Sequence, residues 1–238
     1  MSDNPLELKD VTRAFGAQPV IEGITLTVRS GEFVALVGPS GIGKTTLLNV
    51  LSGHDRPTSG QVLRTRRVRM VYQQDGLFPW LTARENILLG LRDVPAPATR
   101  LLQLEDLLAL IGMSQFGHHY PHQLSRGMRQ RVELARALAG ESDILMMDEP
   151  FSALDYITRL RLRQELVRIL AERPRTVVLV THDIEEAAQL ADRVLVLQGR
   201  PASIHAELAI DLPRPRPPTH PVVVGAVERI LGELGLKT

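Results

Sequence analysis

The chain has 238 residues, no cysteine and few aromatic residues, which make up 4% of the sequence. The absence of cysteine excludes a disulfide framework, a cysteine-ligated metal and an iron–sulfur cluster. The 28 lysines and arginines nearly balance the 27 aspartates and glutamates, so no excess of positive charge directs the chain to nucleic acid or anionic lipid. The composition indicates an aliphatic globular protein, large enough for one or two domains.

Long apolar runs are also missing. No stretch of the sequence approaches the ~18–20 apolar residues of a membrane-spanning helix. The first residues, Met1-Ser2-Asp3-Asn4-Pro5, lack the basic and apolar regions of a signal peptide. We therefore expect a soluble chain, whose membrane role, if it has one, comes through a partner.

The most informative stretch is a glycine-rich loop, which follows a predicted strand at residues 32–37. Thr46, at its end, opens an apolar run that is predicted to continue a helix. In this pattern the lysine, Lys44, places its ammonium group against the β- and γ-phosphates of a nucleotide, and the hydroxyl of Thr45 is placed to coordinate Mg²⁺. Glycines without a Cβ let the backbone turn its N–H groups toward an anion. The pattern is G-x-x-x-x-G-K-[ST], and the nine residues are Gly38, Pro39, Ser40, Gly41, Ile42, Gly43, Lys44, Thr45 and Thr46. With strand and helix in place, a nucleotide loop is favoured over an ordinary glycine-rich turn.

Two carboxylates follow a second apolar run, Ile144-Leu145-Met146-Met147. In an open parallel sheet the ligand lies at the carboxyl ends of the strands. Asp148 is therefore predicted beside the Mg²⁺ that Thr45 holds. Glu149, one residue further, is predicted to polarise a water in line with the γ-phosphate.

Strands alternate with helices along the chain, which indicates an α/β fold with a mainly parallel sheet. We predict a P-loop NTPase core whose mainly parallel sheet has an antiparallel β part, with an inserted α-helical subdomain. A single domain is expected over residues 6–236. Its parts are the core with the N-terminal β part at 6–74 and 141–210, the helical insert at 75–140 and a C-terminal tail at 211–238. The proline-rich run at 212–218 is predicted to be stiff and extended.

The segment Leu124-Ser125-Arg126-Gly127-Met128 precedes the second carboxylate motif, and it resembles the signature of the ATP-binding subunits of ABC transporters. That signature is L-S-G-G-Q, so Arg126 replaces a glycine and Met128 replaces a glutamine. The resemblance implies that Ser125, Arg126, Gly127 and Met128 begin a helix and form a second phosphate site. In the family, this site closes over a nucleotide that is held by another copy.

The resemblance also covers single residues along essentially the whole chain. It implies that Gln73 senses Mg²⁺ and the attacking water, that His182 contacts the γ-phosphate and that Phe15 stacks on adenine. Asp155, in Ser152-Ala153-Leu154-Asp155, is implied to lie at a dimer interface. The implied catalytic residues are Glu149, His182, Gln73 and Lys44, and the implied Mg²⁺ ligands are Thr45, Gln73 and Asp148.

Residues 73–82, Met128 and residues 211–216 resemble the branch that imports nitrate, taurine and alkanesulfonates. The resemblance implies an ATPase that forms a homodimer around two Mg-ATP. The dimer is expected at the cytoplasmic face of the inner (plasma) membrane, on two permease subunits, and it would work indirectly with a substrate-binding protein. No nucleic acid partner is expected. The permease is expected to dock near Phe78-Pro79-Trp80, although burial in the helical subdomain would account for these side chains equally well.

Two alternatives remain open at this stage. The first is a soluble ABC-type ATPase that drives a cytosolic assembly, against which the Pro79-Trp80 loop and the tail argue. The second is a P-loop kinase that phosphorylates a small molecule, against which the signature helix and His182 argue.

Overall fold

The computed structural model describes residues 4–72, 76–140, 142–152 and 154–236. The strands are β1 (Leu6–Phe15), β2 (Gln18–Val28), β3 (Phe33–Val37), β4 (Ser59–Arg64), β5 (Val68–Val71), β6 (Ile144–Asp148), β7 (Thr176–Val180), β8 (Arg193–Gln198) and β9 (Ser203–Ala209). The α-helices are α1 (Lys44–Ser52), α2 (Ala83–Gly90), α3 (Pro97–Leu110), α4 (Arg126–Leu138), α5 (Tyr156–Glu172), α6 (Ile184–Leu190) and α7 (Pro221–Glu233). Short 3₁₀ helices occupy Ser114–Phe116 and Pro121–Gln123.

The larger sheet, within the described ranges, has six strands in the order β5-β6-β7-β3-β8-β9. Strands β5, β6, β7, β3 and β8 run parallel, and β9 pairs antiparallel with β8. Every residue of β3, β6 and β7 is buried. Their unbroken apolar sequences follow from this position, because both faces of a parallel sheet are covered.

The smaller sheet is antiparallel, with the order β2-β1-β4. Helix α1 packs between the two sheets, against β1 and β2 on one side and β6 and β7 on the other. Its Leu47 and Leu48 share a core with Leu8 of β1 and with Val34 and Leu36 of β3.

The other face of the larger sheet belongs to a second core, which also contains buried residues of helices α2 to α7. Alternate residues of β3 point to opposite faces, so Phe33, Ala35 and Val37 belong to this second core. Val132 of α4 lies in the same core. Helices α1 and α4 are therefore on opposite faces of the larger sheet.

The predicted fold class is confirmed, with a mainly parallel sheet, an antiparallel part and a helical insert. Helix α3 of the insert begins at Pro97, because proline is well suited to the first turn of a helix. Strand β9 was not predicted, since its residues alternate between exposed and half-buried and form no apolar face. Residues 212–218, which were predicted to be extended, form neither helix nor strand. Where the chain is described, none of its helices has the length and apolar character to cross a bilayer.

Candidate functional site

The phosphate loop leads from β3 into α1. Gly41 and Gly43 have φ angles of 73° and 113°, which residues with a Cβ rarely adopt. A Cβ at Gly38 would lie 2.8 Å from the carbonyl oxygen of Leu197, and a Cβ at Gly43 would lie 3.0 Å from Cγ1 of Val20. The loop therefore needs glycine both for its turns and for its close packing against β8 and β2. The remaining predicted loop residues are the exposed Pro39 and Ser40, the buried Ile42, and Thr46 in the first turn of α1.

The Lys44 ammonium lies against the loop that precedes it. Its Nζ donates to the carbonyl oxygens of Gly38 at 2.8 Å and Pro39 at 3.0 Å. Burial lowers the pKa of Lys44, while the carboxylates of Glu149 and Asp148 oppose that shift. A cation beside a glycine-rich turn at the start of a helix is an arrangement suited to a chain of phosphates.

Thr45 and Asp148 meet at the carboxyl edge of the sheet. The hydroxyl of Thr45 donates to Asp148 Oδ2 at 2.9 Å and lies 3.2 Å from Oδ1. Burial raises the pKa of Asp148, and the hydrogen bond from Thr45 opposes this rise. A hydroxyl and a carboxylate are hard oxygen donors, the kind that Mg²⁺ prefers, so these two residues fit the ion.

Glu149 and His182 follow the neighbouring strands β6 and β7. The N–H of Glu149 donates to the carbonyl of Val180 at 2.8 Å, and its φ of 45° is unusual for a residue with a Cβ. Oε2 of Glu149 lies 3.1 Å from Nδ1 of His182, with side-chain exposures of 16% and 52%. The turn at Glu149 thus places its carboxylate beside the histidine at the open edge of the sheet, and such backbone outliers concentrate at functional sites.

A pair of arginines on α5 holds the residue after His182. Asp183 caps the N-terminus of α6, and its Oδ2 accepts from Nη1 of Arg159 at 2.9 Å and from Nη2 of Arg163 at 2.5 Å. Arg159 also donates to the carbonyl of Leu154 at 3.2 Å. One side chain therefore joins the segment before α5 to the start of α6. These arginines belong to no motif, and their spacing of four residues on one helix face is the one signal in the sequence that could have indicated them.

Glu186, in the first turn of α6, is the buried member of the same network. Its Oε2 accepts from the Thr181 hydroxyl at 2.6 Å and lies 3.8 Å from Nη2 of Arg163. Burial raises the pKa of Glu186 to about 7, despite the nearby arginine.

The predicted signature residues stand at the start of α4. Ser125 caps the helix, with its Oγ accepting from the N–H of Met128 at 3.3 Å. Ser125 and Arg126 are exposed. A Cβ at Gly127 would come within 2.9 Å of Cγ2 of Thr158, so α4 and α5 approach closely here. Because α4 and α1 occupy opposite faces of the sheet, the signature serine and the phosphate loop belong to different layers of one copy.

Glu133 of α4 is another site residue that belongs to no recognised motif. It is buried, and its carboxylate accepts from the backbone N–H of Tyr72 at 3.3 Å and of Gly76 at 3.4 Å. These contacts tie the signature helix to the chain on either side of Gln73. Gln73 itself, the predicted sensor of Mg²⁺ and water, lies outside the described residues.

Phe15 and Asp155 lie at the ends of other elements. Phe15 ends β1 with 53% of its surface exposed, and the guanidinium carbon of Arg13 lies 4.2 Å from its ring centre. Asp155 caps α5 by accepting from the N–H of Thr158 at 3.0 Å. Hydrogen bonds with Thr158 lower the pKa of Asp155.

The structure thus brings together five of the predicted residues at one sheet edge: Lys44, Thr45, Asp148, Glu149 and His182.

Comparison with known proteins identifies the family. The model of the ABC transporter family matches residues 21–152, more than half of the chain. The chain belongs to the ABC transporter family. An aliphatic sulfonates import ATP-binding protein of Paracoccus denitrificans is 42% identical over 97% of this chain and 94% of that protein.

Other members of the ABC transporter family are similarly close. An aliphatic sulfonates import ATP-binding protein of Pseudomonas savastanoi is 43% identical over 98% of this chain and 85% of its own length. A nitrate import ATP-binding protein of Synechocystis is 41% identical over 89% of this chain and 34% of that longer protein. A dimeric post-hydrolysis structure of an ATP-binding cassette, bound to ADP and Pi, matches with a TM-score of 0.75, 33% identity and coverage of 86% and 98%. The predicted family, its sulfonate and nitrate branch and its ATPase class are confirmed.

Proposed function

We propose that two copies of this chain bind and hydrolyse two Mg-ATP and thereby drive import of a small anion through two membrane permease subunits. The observation that carries this proposal is the Glu149–His182 contact, which lies beside the Thr45–Asp148 pair. The proposed base and the residues proposed to hold Mg²⁺ and the γ-phosphate are thus grouped at the carboxyl edge of the sheet. The names of the relatives support an anion of the sulfonate or nitrate type, taurine included. We place the dimer peripherally, at the cytoplasmic face of the membrane.

Binding of ATP begins with the loop. Lys44 exchanges its bonds to the carbonyls of Gly38 and Pro39 for phosphate oxygens, and the backbone N–H groups at the start of α1 support the same phosphates. Thr45 and Asp148, with Gln73, would hold Mg²⁺, which supplies positive charge against the phosphate oxygens. Phe15, exposed at the end of β1, offers a face for adenine.

Hydrolysis depends on the carboxylate of Glu149. It orients a water in line with the γ-phosphate and accepts its proton. His182, at 3.1 Å, fixes the orientation of this carboxylate and reaches toward the γ-phosphate. Lys44 and the backbone N–H groups at the start of α1 already face the phosphates. They therefore stabilise the charge that develops on the γ-phosphate without any rearrangement of the protein.

The second copy completes each site. Because α1 and α4 lie on opposite faces of one sheet, the two motifs do not meet within one copy. Residues 125–128 of one copy would therefore close over residues 38–46 of another. Ser125 and the N-terminus of the 13-residue helix α4 would face the γ-phosphate there. Asp155 would lie at the same boundary, and the dimeric state of a related cassette supports this arrangement.

The permease is proposed to dock on the helical insert. Phe78 and Trp80 are 41% and 69% exposed, with ring centres 5.4 Å apart, so the burial alternative is wrong. Phe78, Leu89 and Arg136 line a groove of about 360 Å³, and the guanidinium carbon of Arg136 lies 5.9 Å from the centre of the Phe78 ring. Exposed aromatic side chains beside an arginine are typical anchors of protein interfaces.

Purified chain tests the proposal directly. We expect phosphate release from ATP without any acceptor, at a rate per chain that rises with protein concentration because each site needs two copies. A phosphorylated small-molecule product would favour the kinase alternative. Co-reconstitution with a permease should then make hydrolysis depend on the transported anion, and failure to associate with any membrane subunit would favour the cytosolic assembly.

A further inference from the structure

Arg216 is a buried cation in a segment outside the described site. We define the strap as residues 211–218. The side chain of Arg216 is 1% exposed. Its Nη1 donates to the carbonyls of Ala188, at 3.3 Å, and Ala191, and its Nε donates to that of Leu212 at 2.6 Å. A buried guanidinium is costly unless its donors are bonded. Two of these bonds go to the end of α6, and Nη2 donates to the carbonyl of Ile210 at 3.3 Å.

Arg214 makes a parallel set of contacts. Its Nη1 donates to the carbonyl of Leu190 at 2.8 Å, and its Nη2 donates to Asp192 Oδ2 at 3.2 Å. Nη2 of Arg216 lies 3.4 Å from Oδ1 of the same carboxylate. Asp192 in turn accepts from the N–H of Phe33 at 3.0 Å. The strap is thus joined both to the end of α6 and to the first residue of β3.

These contacts satisfy carbonyls that a helix cannot satisfy itself. The last carbonyls of a helix lack intrahelical donors, and cations near them stabilise the helix. Helix α6 has only seven residues, a length that is not stable in water without tertiary contacts. Its position therefore depends on tertiary contacts, which are those of its buried face and those that hold its two ends.

The other end of α6 leads directly to the site. Asp183, its N-cap, is held by Arg159 and Arg163 and follows His182 in the chain. At ~1.5 Å per residue the helix spans only about 10 Å, so a shift of its carboxyl end is transmitted to the histidine.

We propose that the strap positions His182 for hydrolysis, with Arg214 and Arg216 fixing the carboxyl end of α6 and α6 fixing the histidine opposite Glu149. The proposal rests on the proposed role of His182 in the reaction. Arg214 and Arg216 act as positioning residues, because their bonds go to backbone carbonyls and to Asp192.

Steady-state kinetics of the full chain test this, with variants Arg216→Ala, Arg216→Lys and Arg214→Ala. We expect Arg216→Ala to lower kcat about ten- to hundredfold, since misplacing a reacting group by ~1 Å has effects of this size. The KM for ATP should stay within about twofold, because the phosphate loop is untouched. Arg216→Lys should retain an intermediate kcat, since an ammonium can still bond one or two carbonyls but lacks the planar fork. Arg229→Ala is the matched control at an exposed position of α7, where Arg229 donates one long bond of 3.5 Å to the carbonyl of Ala209.

Hydrogen exchange provides a readout that does not depend on activity. Without nucleotide, the strap variants should speed amide exchange in α6 while leaving α1 unchanged. Since Arg216 is buried and its alanine variant can fail to fold, Arg214→Ala, at a side chain that is 24% exposed, carries the same test.

Unchanged kcat and unchanged α6 exchange in Arg214→Ala and Arg216→Lys would overturn the proposal. So would a loss of kcat matched by an equal rise in KM and by faster exchange in α1, which would indicate general destabilisation. Normal turnover in Glu149→Gln would instead contradict the proposed hydrolysis mechanism, whereas the exchange data would still decide whether the strap holds α6.

Discussion

Nδ1 of His182 lies 3.1 Å from Oε2 of Glu149, although 33 positions separate the two residues in the chain. The contact arises because β6 and β7 are parallel neighbours in which Asp148 pairs with Val180. The left-handed backbone of Glu149, φ 45°, then turns its side chain toward the end of β7. The register of two strands and one unusual backbone angle thus create a pair of polar groups suited to hold a water.

We expect Glu149→Gln to keep ATP affinity within about twofold and to lower turnover by roughly 10²- to 10⁴-fold, because an amide cannot accept the proton of the water. ATP should then accumulate in a closed dimer, which light scattering would detect. Glu22→Gln, at an exposed position of β2, is the matched control. Normal turnover in Glu149→Gln would remove Glu149 from its proposed role.

Gly127→Ala should weaken the start of α4. The new Cβ would come within 2.9 Å of Cγ2 of Thr158, a stiff β-branched side chain, so α4 and α5 must separate. We expect a loss of about 1–3 kcal/mol in the free energy of unfolding, as for other overpacked positions. Nucleotide-driven dimerisation should weaken as well.

The rescue of Gly127→Ala distinguishes crowding from other causes. Thr158→Ser removes Cγ2 and keeps the hydroxyl beside Asp155, so the double variant should recover most of the lost stability. Thr158→Ser alone should be nearly neutral. A double variant as unstable as Gly127→Ala would show that the Cγ2 contact is not the cause.

The sequence is sufficient to predict those site positions at which the chemistry requires a particular residue type at a particular spacing. Glycines at residues 38–43, a lysine at the helix start and carboxylates after an apolar strand each have a local physical reason. Because parallel strands end at one edge, their convergence is predictable too. The spacing of motifs thus predicts Lys44, Thr45, Asp148 and Glu149 as one group, and these four side chains lie near one another in the structure.

The remaining features depend on contacts between segments far apart in the chain. Arg216 belongs to a run predicted to be extended, and nothing in that run indicates that its guanidinium is buried against α6. Strand β9 lacks an apolar face and is held by its pairing with β8. The exposure of Trp80 also depends on how the helical insert packs, since an apolar residue there fits a core equally well.

Glu186 should make stability depend on pH. Its pKa is about 7 in the folded chain, because burial raises it from an ordinary 4.5. The folded state therefore binds more protons than the unfolded state between these values, so this contribution is complete below 4.5 and is lost as pH rises through 7. Glu186→Gln stays neutral at every pH. The Tm of the wild type should fall by roughly 5 °C relative to this variant between pH 5 and pH 8.

The titration of Glu186 must be distinguished from that of the charged groups around it. Arg163 and Arg159 stay charged across this range. Hydrogen bonds with Glu186 and Arg163 outweigh the effect of burial and lower the pKa of Asp183, so its titration falls at more acidic pH. A Tm difference that is constant from pH 5 to pH 8 would contradict the expectation for Glu186.

Trp80→Ala should separate docking from catalysis. Trp80 is 69% exposed and lies on the helical insert, so its removal should leave basal ATP hydrolysis within about twofold. Association with the permease should weaken by about tenfold or more, as at other aromatic anchors. Phe116→Ala, another exposed aromatic of the insert, is the control. Equal permease binding by both variants would place the docking surface elsewhere.

Substitution of Arg126 tests how the chain tolerates an arginine in place of the first glycine of L-S-G-G-Q. It occupies the first helical position of α4 and is exposed, so we expect its side chain to point away from the phosphate of the other copy. Arg126→Gly, measured in a Glu149→Gln background by light scattering, should then leave ATP-driven dimerisation within about threefold, since glycine at a helix end costs at most ~1 kcal/mol. Ser125→Ala is the positive control, because it removes the hydroxyl proposed to face the γ-phosphate. A much larger change in Arg126→Gly would make the guanidinium a direct participant, since loss of a charge-assisted phosphate bond weakens closure by more than a change in helix propensity.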